Sequence, residues 1–123
     1  DNDVTTFNLI NKDMMLSGSF IVKATGVVSG IDVAKEVFRQ INPKIKMEIL
    51  KDNGTFVKRG DVFASNAGPM RDILRGERVA LNFLQRMSGI AATTAKFVQE
   101  LAGTECKILD TRKTTPLLRV LER

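Results

Sequence analysis

Three groups of residues in this sequence have types and spacings that could do chemistry. Arg71, Arg75, Arg78, Asn82 and Gln85 recur every three or four positions, which places them on one face of a helix. Taken as guanidinium groups without acidic partners, this stripe suits planar carboxylates or phosphates. From the pattern alone, a solvated polar helix face is the plainer reading. The second group is Asp110-Thr111-Arg112-Lys113-Thr114-Thr115-Pro116, which follows a short apolar stretch. Loops at the carboxyl ends of parallel strands are where α/β proteins bind ligands. Arg112 can grip a carboxylate through two parallel hydrogen bonds, and Lys113 offers a point charge suited to phosphate. On an extended backbone these neighbours point to opposite sides and could serve two different anions. Thr114 and Thr115 add hydroxyl donors, and Pro116 suits the first position of a following helix. On fold-level analogy alone, a ligand loop and an ordinary polar loop stand level. The third group is Lys46-Met47 with the later turns, a pattern like that of biotinyl and lipoyl carriers. Lys46 falls in mid-strand and not at a hairpin tip, so a carrier role is set aside.

Composition narrows the chemistry further. The 123 residues include no histidine, which removes imidazole acid–base catalysis, Ser-His and Cys-His nucleophiles and the common zinc sites. Cys106 is the single cysteine, so no internal disulfide forms, a reducing compartment is the default, and the residue reads as packing beside a strand. The net charge of +5 selects anionic partners. With no Trp or Tyr and with dispersed basic residues, base stacking has little material, and small phosphorylated or carboxylated molecules fit at least as well as nucleic acid. No apolar run is long enough for a membrane span, and the acidic start does not read as a secretory signal.

These groups must be held by regular elements. A strand is expected over Ser19–Ser29, punctuated by Gly26 and Gly30, then a helix over Ile31–Ile41 that stops at Asn42-Pro43. Strands follow around Ile45–Lys51, Phe56-Val57 and Val62–Ala64, with a hairpin-type turn at Asp52-Asn53-Gly54. From Met70 to Leu101 the pattern is helical, with a break expected at Ser88-Gly89 and an end at Gly103. Lys107–Asp110 reads as a short buried strand and Leu117–Arg123 as the start of another helix. The expected fold is therefore an α+β unit of short strands and helices, barrel-sandwich or hammerhead-like, over residues 1–103. Residues 104–123 read as a single strand–loop–helix unit, which is not a domain by itself.

The run from Gly76 to Ala91, Gly-Glu-Arg-Val-Ala-Leu-Asn-Phe-Leu-Gln-Arg-Met-Ser-Gly-Ile-Ala, resembles the quinolinate phosphoribosyltransferase family. So do Lys107-Ile-Leu-Asp-Thr-Arg-Lys-Thr-Thr-Pro, with Leu118-Arg119 after it, and Asp3-Val4-Thr5-Thr6 near the start. Departures are small: Asn2 and Leu117 stand where the family commonly has glycine, and Ala92 varies within its run. The resemblance implies transfer of phosphoribose from phosphoribosyl pyrophosphate to quinolinate, with Mg²⁺ and decarboxylation, to nicotinate mononucleotide, carbon dioxide and pyrophosphate. It implies an amino-terminal α+β domain followed, at residues 104–123, by the start of a truncated α/β barrel. It also implies a cytoplasmic homodimer in which the amino-terminal domain of one subunit covers the barrel mouth of the other. It assigns Arg78 to a quinolinate carboxylate across the dimer, Arg112 to another quinolinate carboxylate and Lys113 to phosphoribosyl pyrophosphate. Thr111 and Thr114 are weaker contributors. The family's later site residues and metal ligands have no counterpart here, so the expectation is an amino-terminal portion that is inactive alone. Two alternatives stand beside it: a related protein linked to molybdate uptake, and a stand-alone anion- or nucleic-acid-binding module.

Overall fold

A computed structural model describes residues 10, 11 and 13–123; the Asp3-Val4-Thr5-Thr6 element lies outside them. The described elements are β1 (Met15–Ile21), β2 (Gly26–Val27), α1 (Ile31–Ile41), β3 (Lys46–Ile49), β4 (Phe56–Val57), β5 (Val62–Pro69), α2 (Met70–Glu100) and α3 (Arg119–Glu122). β5 is the middle strand of an antiparallel sheet ordered β1-β5-β3, and β2 pairs with β4 in a separate two-stranded ribbon.

Alternation explains the sheet. Along β1 the residues Leu16, Gly18 and Phe20 turn inward while Met15, Ser17, Ser19 and Ile21 face out. β5, covered by a strand on each side, is buried along most of its length. Phe20 meets Phe38 of α1 edge-on, with ring centroids 6.2 Å apart, and Phe63 of β5 at 5.7 Å. α1 lays Ile31, Ala34 and Phe38 into the core, and α2 contributes Ile73, Ala80 and Leu84. Where the helices cross, Gly76 leaves no room for a side chain: an added Cβ would stand 2.8 Å from the Phe38 ring and 2.9 Å from Ile41 Cδ1.

The α+β architecture of short antiparallel strands and helices is as expected, but several local features differ. The stretch Ser19–Ser29 is not one strand. Its register shifts between Phe20 and Ile21, Val22 bonds the backbone of Gly60 and Asp61, and the chain then joins the second ribbon at Gly26. The Asn-Gly turn does not close a hairpin between successive strands, because β3 pairs with β5 and β4 with β2. Asn53 works at a helix end: its Oδ1 accepts from Ile31 N at 3.1 Å, and its Nδ2 donates to Asp32 at 2.8 Å.

α2 runs unbroken through Ser88-Gly89. Ser88 Oγ accepts from Ser29 N at 2.9 Å and donates to Ser29 O at 3.1 Å, so this residue docks the helix on the β2–α1 connection. A mid-helix glycine costs only about 1 kcal/mol, which the docking outweighs. The helix ends where expected, with Gly103 at φ 84°.

Beyond it, Lys107–Asp110 is not a strand, and it is exposed, with Leu109 at 83%. No neighbouring strand among the described residues offers it a ladder. Cys106 is likewise exposed and not packed beside a strand. The last helix is shorter than expected because Leu117 adopts φ 66°, a left-handed conformation that glycine takes freely.

Candidate functional site

The arginine stripe is not uniform. Asp72 lies three residues before Arg75 and sits 3.8 Å from it, so the expectation of a face without acidic partners fails there. Arg71 turns its Nε to the Ile10 carbonyl at 2.5 Å. Arg78 is exposed and makes no side-chain hydrogen bond or ion pair among the described residues. Asn82 and Gln85 are exposed on the same helix. Tertiary structure thus sets Arg78 apart from two neighbours that already have partners.

The loop from Asp110 to Pro116 is held from both ends. Arg119 Nη2 donates to Asp110 Oδ2 at 2.8 Å, its Nη1 donates to the Thr111 carbonyl, and Arg123 approaches Asp110 to 3.7 Å. At the other end Thr115 N donates to Glu122 Oε2 at 2.9 Å. Arg86, on α2, donates through Nε to Glu122 Oε1 at 2.8 Å and through Nη2 to both Glu122 Oε1 and Thr115 Oγ1. Between these fastenings Thr111 Oγ1 accepts from Lys113 N at 3.1 Å, which tightens the turn.

The electrostatic result follows from these pairings. Asp110 and Glu122, the carboxylates fastening the loop, are neutralised by Arg119, Arg123 and Arg86. Arg112 and Lys113 are exposed and their side chains have no partner among the described residues. Two cations without counterions, on a loop whose acids are already paired, form an anion-binding arrangement. Thr111 is exposed and Thr114 half-buried beside them. Arg78 is not brought to this loop: it precedes Arg86, the loop's anchor on α2, by eight residues, or about 12 Å along a helix axis.

Glu122 reports on this fastening. The Thr115 N–H, then the Arg86 guanidinium, hold its carboxyl down at about 2, below the ordinary 4.5. A lowered carboxyl pKa contributes stability above pH 4.5 that is lost as pH falls through about 2. The Thr115 amide resonance should therefore titrate with a midpoint near 2, and a midpoint at the ordinary carboxyl value would show that the clasp does not form.

A concavity of about 740 Å³ lies between β1, β2 and the stretch of α2 from Ile73 to Ala92. Its lining is mainly apolar, including Leu16, Phe20, Phe63, Leu81 and Leu84. Its charged residues are Lys23 and Glu77, of opposite sign, so it has no excess positive charge for an anion. Among the described residues no group of three His, Cys, Asp or Glu side chains could hold a metal ion. Nor is any helix there long and apolar enough to cross a membrane.

The sequence singles out Arg112 and Lys113 by residue type but not Arg86, Glu122 and Arg119, which fasten the loop that carries them. The contacts of Arg86 span 29 and 36 residues, so no local periodicity could reveal them. Leu118-Arg119 was visible as part of a motif, without a role.

Comparison with known proteins bears on what this loop is for. Residues 3–88 match the family model "Quinolinate phosphoribosyl transferase, N-terminal domain", and residues 90–123 match the model of its C-terminal domain. The chain is 42% identical over 121 residues to the chloroplastic nicotinate-nucleotide pyrophosphorylase [carboxylating] of Oryza sativa subsp. japonica, covering 98% of this chain and 32% of that protein. It is 36% identical to the probable nicotinate-nucleotide pyrophosphorylase of Bacillus subtilis, covering 98% of this chain and 42% of that one. The crystal structure of NadC from Streptococcus pyogenes superposes with a TM-score of 0.94 at 35% identity, over 98% of this chain and 43% of that one. The nicotinate-nucleotide pyrophosphorylase from Ehrlichia chaffeensis superposes at 0.90 with 38% identity, over 98% and 43%. The chain thus spans 32% and 42% of the lengths of these two curated relatives.

Proposed function

Because the chain belongs to the quinolinate phosphoribosyltransferase family, we propose that it supplies substrate-binding residues for transfer of phosphoribose from phosphoribosyl pyrophosphate to quinolinate. The observation that carries this reading is the pair Arg112 and Lys113, unpartnered on a loop whose own carboxylates are neutralised. In the reaction the ring nitrogen of quinolinate donates its lone pair to the anomeric carbon as the bond to pyrophosphate breaks. The bond from the ring to the adjacent carboxylate then cleaves as carbon dioxide leaves, its electron pair stays on the ring carbon beside the positively charged nitrogen, and a proton bonds to that pair. Nicotinate mononucleotide, carbon dioxide and pyrophosphate result, a step that serves NAD biosynthesis.

This chemistry joins a dianion to a polyanion, so fixed cations that orient both and offset their repulsion lower the barrier. Arg112 takes a quinolinate carboxylate in a bidentate grip, and Lys113 takes a phosphate oxygen of the second substrate. Thr111 and Thr114 are secondary hydroxyl contacts. Arg78, displaced along α2 from this loop, serves a quinolinate carboxylate in the other subunit of a cytoplasmic homodimer. Mg²⁺ accompanies phosphoribosyl pyrophosphate. The donor set described here does not fit it, since Asp110 and Glu122 are held by arginines, and no step is assigned to it.

The test is a protein in which this chain continues at Arg123 into the remaining sequence of the Bacillus subtilis relative. It should release pyrophosphate only when quinolinate and phosphoribosyl pyrophosphate are both present. Arg78→Ala and Arg112→Ala proteins, each inactive, should regain about a quarter of full activity when mixed and allowed to exchange subunits. Half of the dimers are then mixed, and each mixed dimer has one intact site. Absence of rescue would place Arg78 at its own subunit's loop, and absence of quinolinate-dependent release would reject the reaction.

A further inference from the structure

We propose that Arg86 is a positioning residue, which locks the Asp110–Pro116 loop onto α2 through Glu122 and Thr115 so that Arg112 and Lys113 are presented in fixed geometry. The inference rests on the proposal that these two residues bind the substrate anions. Residues 104–113 are exposed throughout, and Lys107–Asp110 has no ladder to hold it. Arg119, Arg123 and Glu122 also fasten the loop, but they belong to the same carboxyl-terminal segment and cannot tie it to the body of the fold. Among the described residues, Arg86 is the side chain that reaches this loop from outside that segment by hydrogen bonds.

The geometry requires arginine. One guanidinium meets Glu122 Oε1 through two nitrogens and Thr115 Oγ1 through one of them, while Glu122 Oε2 accepts the Thr115 N–H. The closed ring fixes Thr115 two residues after Lys113, and the Glu122 side chain within it is only 9% exposed. A lysine offers one charged point and cannot span both partners. Arg86 also neutralises Glu122, which would otherwise compete with substrate carboxylates and phosphates for Arg112 and Lys113. Removing the ring leaves both cations on a looser loop that must be ordered on binding, and that ordering lowers affinity.

The chain itself is the material for the test, with quinolinate and inorganic pyrophosphate titrated separately and followed by calorimetry. Arg86→Gln should weaken both anions about tenfold, with the thermal midpoint moving by less than about 4 °C. Arg86→Lys should recover less than half of that loss on a logarithmic scale. Glu122→Gln, which keeps the shape and an acceptor but not the charge, should weaken both in the same direction. Glu36→Gln, which removes an exposed ion pair on α1, should change neither affinity. Unchanged affinities in Arg86→Gln, or full recovery in Arg86→Lys, would overturn the inference while leaving the loop's role intact. If the parent chain binds neither anion, the reading of the loop as an anion site fails and the inference falls with it.

Discussion

Replacing Arg112 with alanine should lower kcat/KM for quinolinate by about 10²- to 10³-fold in the barrel-completed protein, with the KM for phosphoribosyl pyrophosphate changed less than about fivefold. The magnitude comes from the carboxylate pairing proposed for Arg112. A bidentate guanidinium–carboxylate contact is lost whole, and the substrate carboxylate is left desolvated without a partner. No neighbour can substitute, since Arg119 is held by Asp110 and the Thr111 carbonyl, and Arg86 by Glu122 and Thr115. Arg112→Lys should also favour phosphoribosyl pyrophosphate over quinolinate, because lysine keeps the charge but not the fork. Equal losses for both substrates would contradict the division of labour between Arg112 and Lys113. The control is Lys113→Ala, which should show the opposite bias.

The second large effect concerns the helix crossing that supports α2. Phe38→Ala should destabilise the chain by about 3–5 kcal/mol, as large-to-small changes at buried aromatics do. Phe38 is 1% exposed and, with Ile31, among the largest fully buried side chains of the described residues, and its removal also takes away the edge-on contact with Phe20. Gly76→Ala should cost about 1–2 kcal/mol, because overpacking against the Phe38 ring outweighs the helix-propensity gain. The two changes are coupled: with the ring gone, Ile41 Cδ1, 2.9 Å from the added Cβ, can move aside for the alanine methyl, so the double variant should be more stable than the sum of the singles predicts. Chemical denaturation of the four proteins measures this directly, and simple additivity would mean that the close approach at Gly76 is not what fixes the crossing.

How much was legible in the sequence varies with the range of the interaction that decides each feature. α1 was readable to the residue, because its apolar spacing, Gly30 before it and Asn42-Pro43 after it all act locally. The end of α2 near Gly103 was readable for the same reason. The supposed break at Ser88-Gly89 was misjudged because Ser88 is engaged by Ser29, 59 residues away. The Asn53-Gly54 turn was seen, but its partner, the α1 amino end, was not, since a hairpin signal does not say which elements pair. Arg112 and Lys113 stood out by residue type, and the departure at Leu117 marked a position whose backbone is left-handed. What separates Arg78 from Arg71, and what holds the loop, are contacts made by folding. The Asp72–Arg75 pair was within local reach and was overlooked.

On the proposed function, anion binding belongs to the charged loop at Thr111–Thr115 and not to the apolar groove. Titrating quinolinate into the isotopically labelled chain while following every backbone amide tests it most directly. Shifts should concentrate at Thr111–Thr115 and at Arg86, with the groove lining of Leu16, Phe20 and Leu84 unmoved. Shifts confined to that groove, with Arg112 and Lys113 silent, would contradict it.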